Sequence, residues 1–262
     1  MTKGRFGALF VYRGYTMDGL YDDAELYDLV SSPDPAMERF YLQAGGPGQC
    51  VLELACGTGR FAFPLARSGA EVSGGDLSET MLTRARAAAA GSGLDATFVR
   101  LDMRDFDLRR TFDFAIVAAN SLMHLHTHED FARTFKAIGR HLAPGGKVLF
   151  DVFAPSLRLL TLPPGHREPL GMFQHSGRGK VTIEETIAYD AATQVMRTDW
   201  YWSTAEQPDF RRTSLELRQI FPQELPLLLG LGGLKLAERY GDFDRSPFQP
   251  ASLRQVCVAV RA

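Results

Sequence analysis

Between Val51 and Ala62 the chain reads VLELACGTGRFA, an apolar run, two glycines one residue apart, and the start of a helical pattern. Gly57 and Gly59 stand where backbone can take a positive φ or approach a ligand closely. A helix beginning just after them offers free N–H groups and the positive end of its dipole. With Ala62 the stretch satisfies the dinucleotide pattern GxGxx(G/A), so a nicotinamide enzyme has to be weighed. Three acids bear on that choice. Glu53, four residues before Gly57, would add little to a pyrophosphate pocket but could receive an ammonium. Asp76, which closes EVSGGD, can accept both hydroxyls of a ribose and therefore points to a nucleoside without saying which. Asp102, after ATFVRL, can take an adenine amino proton while Met103 packs on the ring, and this second acid is not part of the dinucleotide fingerprint.

Further along, ANSLMHLHTHED supplies His124 directly after an apolar strand, where open α/β sheets bind their ligands, and makes it the candidate general base. The competing role is a histidine that caps the next helix or bonds backbone. His126 and His128 complete an HxHxH string. Alternate spacing gathers three imidazoles on one face only in an extended strand, and this segment enters a helix, so no metal site is expected. Aromatic residues are the other resource. Tyr12, Tyr15, Tyr21 and Tyr27 cluster near the start, and Met196, Trp200 and Trp202 share one face of a later strand. An aromatic face attracts a cation by roughly 0.5 to 2 kcal/mol, and a phenol can orient an amine. Tyr21 and Tyr27 are accordingly expected in the catalytic set, with Tyr15, Trp200 and Trp202 lining the substrate. Ordinary packing is the alternative. Cys50, Cys56 and Cys257 are odd in number and lack CxxC spacing, which argues against a disulfide framework or structural zinc; Cys56 has no adjacent base and reads as a buried filler.

These groups need elements to hold them. From Gln49 onward, CVLEL, EVSGGD, ATFVRLD, FDFAIVAA and KVLFDVF alternate with helix-like stretches at about 60–68, 78–90 and 129–142. Near-continuous apolar strands separated by amphipathic helices predict a parallel sheet covered on both faces, and the right-handed crossover rule makes it doubly wound. After Phe153 the alternation stops. PSLRLLTLPPGHREPLG reads as loop, then three stretches, GKVTIEETIAYD, QVMRTDWYWS and RRTSLELRQI, read as an antiparallel insertion. In the first, Val181, Ile183, Ile187 and Tyr189 share a face opposite Thr182, Glu184 and Thr186. PQELPLLLGLGG predicts a helix, and LKLAERYG with RQVCVAVRA a final antiparallel pair. The expected organisation is an N-terminal cover over 1–48, a core over 49–153 and 221–262, and an inserted lid over 154–220.

Taken in order, VLELACGTG, GGDLSETML, VRLDMRDF, AANSLMHL and HLAPGGKVLFDVF resemble the motifs of class I S-adenosylmethionine-dependent methyltransferases of the small-molecule type. The resemblance covers roughly 49–153, and LKLAERYGDFDRSPF is similar to the closing hairpin of such enzymes. It implies a Rossmann-like seven-stranded sheet with its last strand antiparallel, and S-adenosylmethionine as cofactor. By position, Glu53, Gly57 and Gly59 would border the methionine part and Asp76 the ribose, while Leu77, Asp102 and Met103 would hold the adenine. Asn120 would lie near the amino-acid end or sulfonium, through side chain or carbonyl, and Arg60 could pair with the cofactor carboxylate. A histidine like His124 also resembles one found in amino-sugar N-methyltransferases.

The whole chain of 262 residues gives roughly 1.7 domains at about 150 residues each, which the motifs resolve into one decorated domain. With 29 Lys plus Arg against 31 Asp plus Glu there is no basic field for nucleic acid or an anionic membrane. AANSLM also stands where an NPPY-like sequence would signal a macromolecular substrate. No apolar run reaches the roughly 18 to 20 residues of a membrane span, and the start lacks a signal-peptide pattern, so a cytoplasmic protein is expected. The expected reaction is methyl transfer to an N- or O-nucleophile of a small molecule by in-line displacement. The alternatives are an S-adenosylmethionine cyclase that releases methylthioadenosine and a non-catalytic cofactor binder. Acceptor and oligomeric state stay open.

Overall fold

In the computed structural model, which describes residues 19–31 and 34–262, the apolar runs pair into two separate sheets. The larger contains β1 (Cys50–Leu54), β2 (Glu71–Asp76), β3 (Ala96–Arg100), β4 (Phe112–Val117), β5 (Leu142–Phe153), β10 (Leu234–Tyr240) and β11 (Arg254–Arg261). Its order is β10-β11-β5-β4-β1-β2-β3, parallel throughout except that β11 runs antiparallel to both its neighbours. This is the doubly wound, seven-stranded arrangement that the alternation and the family motifs predict.

Successive residues of the central strands point to opposite layers, and both layers are dry. Leu52, Leu54, Val117, Val148 and Phe150 pack with Phe131, Phe135 and Ile138 of α5 (His128–His141) and with Leu228 and Leu229 of α7 (Leu225–Leu231). Val51, Val72, Ile116 and Leu149 pack instead on α2 (Pro35–Leu42), α3 (Ala62–Arg67) and α4 (Glu79–Ala90). Burying one such side chain is worth about 1.5 to 3 kcal/mol, so the sheet is fixed from both sides and its strand ends hold still. Two of the helix starts carry side-chain caps on their free N–H groups. Ser78 accepts from Met81 N ahead of α4, and Thr127 with Asp130 closes a capping box ahead of α5.

The second sheet has the order β6-β7-β8-β9, with β7 (Gly179–Asp190), β8 (Val195–Ser203) and β9 (Arg211–Arg218) where strands are expected. One expectation fails: the segment read as loop contains a short helix, α6 (Leu157–Leu160), and a fourth strand, β6 (Arg167–His175). The strand carries Pro169 and Gly171, and the pairing with β7 shifts register between them. Proline lacks the ladder N–H and is tolerated in a sheet at an edge or a bulge, and β6 is both the edge and bulged there. Leu20 and Leu26, the latter on α1 (Ala24–Val30), pack on Val181, Ile183 and Trp202 and join the cover to this sheet.

Candidate functional site

β1 is flanked by β2 on one side and β4 on the other, so chain direction diverges at its C-terminal end and leaves a crevice there. The glycine loop crosses that end. Gly57 has φ +56° and Gly59 φ +90°, conformations that favour glycine, and a Cβ on Gly59 would also lie 2.6 Å from the Phe63 ring. Asp76 braces the loop from the next strand, with Oδ2 accepting from Gly57 N and Oδ1 from Ser78 N, both at 2.8 Å. Burial raises its pKa, opposed by those backbone N–H groups. One carboxylate therefore ties the glycine loop to the start of α4.

Glu53 is 2% exposed, and its Oε2 has no partner. Desolvation pushes its carboxyl up to about 8, against the pull of Arg60 and of the Ala62 backbone. Asn120, at the end of β4, has φ +63° and a buried Oδ1 that is likewise unpartnered. The site thus contains two buried acceptors without donors, a state that ordinary protein interiors avoid. Arg60 donates to the Ser31 carbonyl and lies over the Phe61 ring. Leu77 is exposed at the end of β2, and Met103 packs against the core. Asp102 is held by Arg104, which donates from its backbone and guanidinium and keeps the carboxyl below its usual range. Sequence reasoning missed this grip, although an arginine two residues after an aspartate in a turn was the available signal.

His124 ends a short 3-10 helix, Ser121–His124, and meets the cover across 103 positions of sequence. Tyr21 Oη lies 2.9 Å from His124 Nε2, with the two rings edge to face at 5.5 Å. Burial raises the Tyr21 phenol far above its ordinary value and lowers His124 to about 4. Both groups are neutral at pH 7, and with the imidazole proton on Nδ1 the phenol donates and Nε2 accepts. Tyr27 sits 5.7 Å from Tyr21, and its ring closes over Gly57. Asp28 accepts from Thr58 Oγ1 at 2.9 Å and pairs with Arg84, while Ser78 Oγ donates to the Tyr21 carbonyl at 3.0 Å. The cover therefore docks on the glycine loop, the start of α4 and the 3-10 helix together. Asp28 and Ser31 give no chemical signal in the sequence, and their contacts were not foreseen.

The other aromatic residues separate. Trp202 is fully buried, bonded to Thr213 Oγ1 at 3.0 Å and packed against Leu20 and Leu26, so cover packing accounts for it. Trp200, 6.2 Å away, donates to Glu185 Oε2 at 3.2 Å and is half-buried. Tyr12 and Tyr15 lie outside the described residues. The HxHxH string also divides. His126 Nε2 lies 3.2 Å from the Glu216 carbonyl of β9, and His128 faces Glu224 and Arg218. Among the described residues no three His, Cys, Asp or Glu side chains are grouped to hold a metal. Cys56 is buried, with its thiol pKa well above the ordinary value, which makes it inert. A cleft of about 280 Å³ between Gly48–Cys50 and Ala70–Glu71 opens at the opposite ends of the strands, away from all these groups. Among the described residues no helix is long and apolar enough to cross a membrane.

A doubly wound sheet with a glycine loop, an aspartate bracing that loop and two unpartnered buried acceptors at its switch point is the setting in which open α/β sheets bind their ligands. Residues 51–146 match the family described as a methyltransferase domain. The cypemycin N-terminal methyltransferase of a Streptomyces species is 26% identical over 92% of this chain and 98% of its own length. A dTDP-3-amino-3,4,6-trideoxy-alpha-D-glucopyranose N,N-dimethyltransferase of Streptomyces venezuelae is 31% identical over 53% of each chain. In several other curated relatives the match likewise covers about half of the relative's length. The structure of the CcbJ methyltransferase from Streptomyces caelestis superposes with a TM-score of 0.79 and 26% identity, over 95% of this chain and 100% of that one. Residues 51–146 are a methyltransferase domain, and the fold around them is that of the class I S-adenosylmethionine-dependent methyltransferases, enzymes whose cofactor is S-adenosylmethionine.

Proposed function

We propose that this chain transfers a methyl group from S-adenosylmethionine to a nitrogen of a small-molecule amine, with Tyr21 and His124 handling the proton. The observation that carries the reading is the buried 2.9 Å hydrogen bond between Tyr21 Oη and His124 Nε2 beside the switch point. The unpartnered Glu53 Oε2 and Asn120 Oδ1 suit the ammonium of an amino-acid end, which brings several N–H donors. Gly57 and Gly59 would border the methionine part, and Arg60 would take its carboxylate by exchanging the Ser31 carbonyl. Asp76 would accept the ribose hydroxyls through its remaining lone pairs. The exposed Leu77 and Met103 would contact the adenine faces, with Asp102 accepting from its amino group while it keeps Arg104. Bound in this way, the cofactor supplies an electrophilic methyl carbon on a sulfonium.

The chain's own groups then align the amine, exclude water and move one proton. When the nitrogen becomes an ammonium, its N–H breaks toward Tyr21 Oη while the phenol's own proton passes to His124 Nε2. The phenol stays neutral, and the imidazole takes the charge. Burial holds the imidazole's pKa near 4, so it is neutral and able to accept at pH 7 but is a weak base, and the proton it takes passes on to water. The Tyr27 ring, and Trp200 from the inserted sheet, offer faces that attract the transient cation. The docked cover keeps water from the sulfonium. Nitrogen is favoured as the acceptor because the cypemycin and aminosugar relatives are named for N-terminal and N,N-dimethyl transfer.

The test is product analysis with S-adenosylmethionine and a panel of peptide amino termini, nucleotide-linked aminosugars, phenols and carboxylic acids. Acceptor-dependent S-adenosylhomocysteine with an N-methyl product is expected. An O-methyl product, or methylthioadenosine released without acceptor, would overturn the reading, the second in favour of intramolecular cyclisation.

A further inference from the structure

KVLFDVF places a carboxylate in the middle of an apolar strand, and Asp151 is 1% exposed there, between Phe150 and Val152. A buried carboxylate persists only where hydrogen bonds replace its water. Asp151 Oδ1 accepts from Ala119 N at 2.8 Å and from the phenol of Tyr41, and the carboxylate also receives the Asn120 N–H. Ala119 and Asn120 are consecutive non-glycine residues with φ +55° and +63°, left-handed conformations that need outside support. Their turn ends β4, presents Asn120 and starts the helix that carries His124. Tyr41 comes from α2 and is fully buried, with its ring 5.0 Å from that of Phe61, the residue after Arg60. One phenol thus touches the support of the β4 turn and the exit of the glycine loop.

We propose that Asp151 and Tyr41 are a positioning pair: Asp151 holds the left-handed Ala119–Asn120 turn in the shape that presents Asn120, and Tyr41 locks α2 to it. Neither residue touches the ligand; both act through the turn. The proposal rests on the assignment of that turn to the amino-acid end of the cofactor site. It also accounts for an aspartate set between the buried Phe150 and Val152 of β5.

The test uses Tyr41→Phe, which removes one hydroxyl and keeps the ring, together with Asp151→Ala and Asp151→Asn. Asparagine retains an Oδ1 able to accept both bonds on that atom. Amide hydrogen exchange without ligand is expected to speed up at least tenfold at Ala119 and Asn120 in Tyr41→Phe, with Leu52 and Ile116 of the neighbouring strands unchanged. The dissociation constant for S-adenosylmethionine should rise at least fivefold in Tyr41→Phe and Asp151→Ala, with recovery to within about threefold of wild type in Asp151→Asn. Exchange and affinity within twofold of wild type in Tyr41→Phe would overturn the pair, and Tyr41→Phe decides the matter if Asp151→Ala does not fold. Faster exchange with unchanged affinity would leave a merely structural bond and would overturn the positioning role. A wild-type protein that binds no S-adenosylmethionine would sink the functional reading instead, while the exchange rates would still judge the support of the turn.

Discussion

The C-terminal edge of the parallel sheet and the contact between cover and inserted sheet are both built from buried side chains, yet they treat polar atoms oppositely. At the sheet edge, Glu53 Oε2 and Asn120 Oδ1 are buried without partners, and Asp76 spends its bonds on backbone. At the cover contact, Trp202 is satisfied within the inserted sheet by Thr213, and across the contact Arg211 is satisfied by Asp23 and Gly19 and Ser176 by Glu25, while Leu20 and Leu26 fill the space between. An interface that saturates its donors is made to hold together, whereas one that leaves acceptors open is made to receive something. Tyr21 and His124 lie on the boundary between the two and belong to both.

The sharpest way to break this comparison is at that boundary. His124→Ala should lower turnover by about 100- to 10,000-fold, the usual reach of general base catalysis, with cofactor affinity within twofold of wild type. Steady-state rates and calorimetry check it, and wild-type turnover would remove the base. Trp202→Ala should cost about 3 to 5 kcal/mol in urea unfolding, because a fully buried indole leaves a cavity and an unpaired Thr213. A loss below about 1 kcal/mol would mean that the cover contact is not a packed core.

Next in size is the pH dependence of His124. Its folded pKa of about 4 lies below an unfolded value near 6.5, so the unfolded chain binds the proton more readily. Its contribution is complete above about pH 6.5 and is lost as pH falls toward 4, at most about 3 kcal/mol. Unfolding midpoints at pH 7 and 4.5 should show the decline, and His124→Gln should flatten it. Asp76→Ala should weaken cofactor binding by about 2 kcal/mol through lost charge-assisted bonds, read by titration calorimetry. Unchanged affinity would contradict the ribose assignment. The smallest effect concerns Glu53, whose carboxyl titrates near 8 without ligand. An ammonium beside it favours the ionised form, so binding at pH 7 should release close to one proton. Calorimetry in buffers of different ionisation enthalpy would detect the release, and Glu53→Gln should abolish it.

Much of the sheet was readable because most central strands are apolar runs and because helix-like stretches separate them, two of which start at side-chain caps, Ser78 and Thr127. β6 escaped because Pro169 and Gly171 are loop residues by local rule and become strand only as a bulged edge beside β7. Trp202 shows the complementary gap. A tryptophan on the strand face that also carries Met196 and Trp200 suits a ligand wall or a core equally well, and only the neighbours Leu20 and Leu26 decide between them.

The sequence by itself determined the order of the strands and helices of the parallel core, the glycines of the loop after β1 and the acids at the ends of β1 and β2, because these follow from local periodicity and from spacing along one strand and one turn. Only the tertiary structure decided which residues face one another across the crevice. It brought Tyr21 to His124, Asp28 to Thr58 and Tyr41 to Asp151, and it took Trp202 into the packing. Those pairs are separated by 103, 30 and 110 positions, and no local preference encodes them. They exist because the two faces of the sheet and the inserted strands must each be covered, and the cover that buries them carries its phenols to the strand ends.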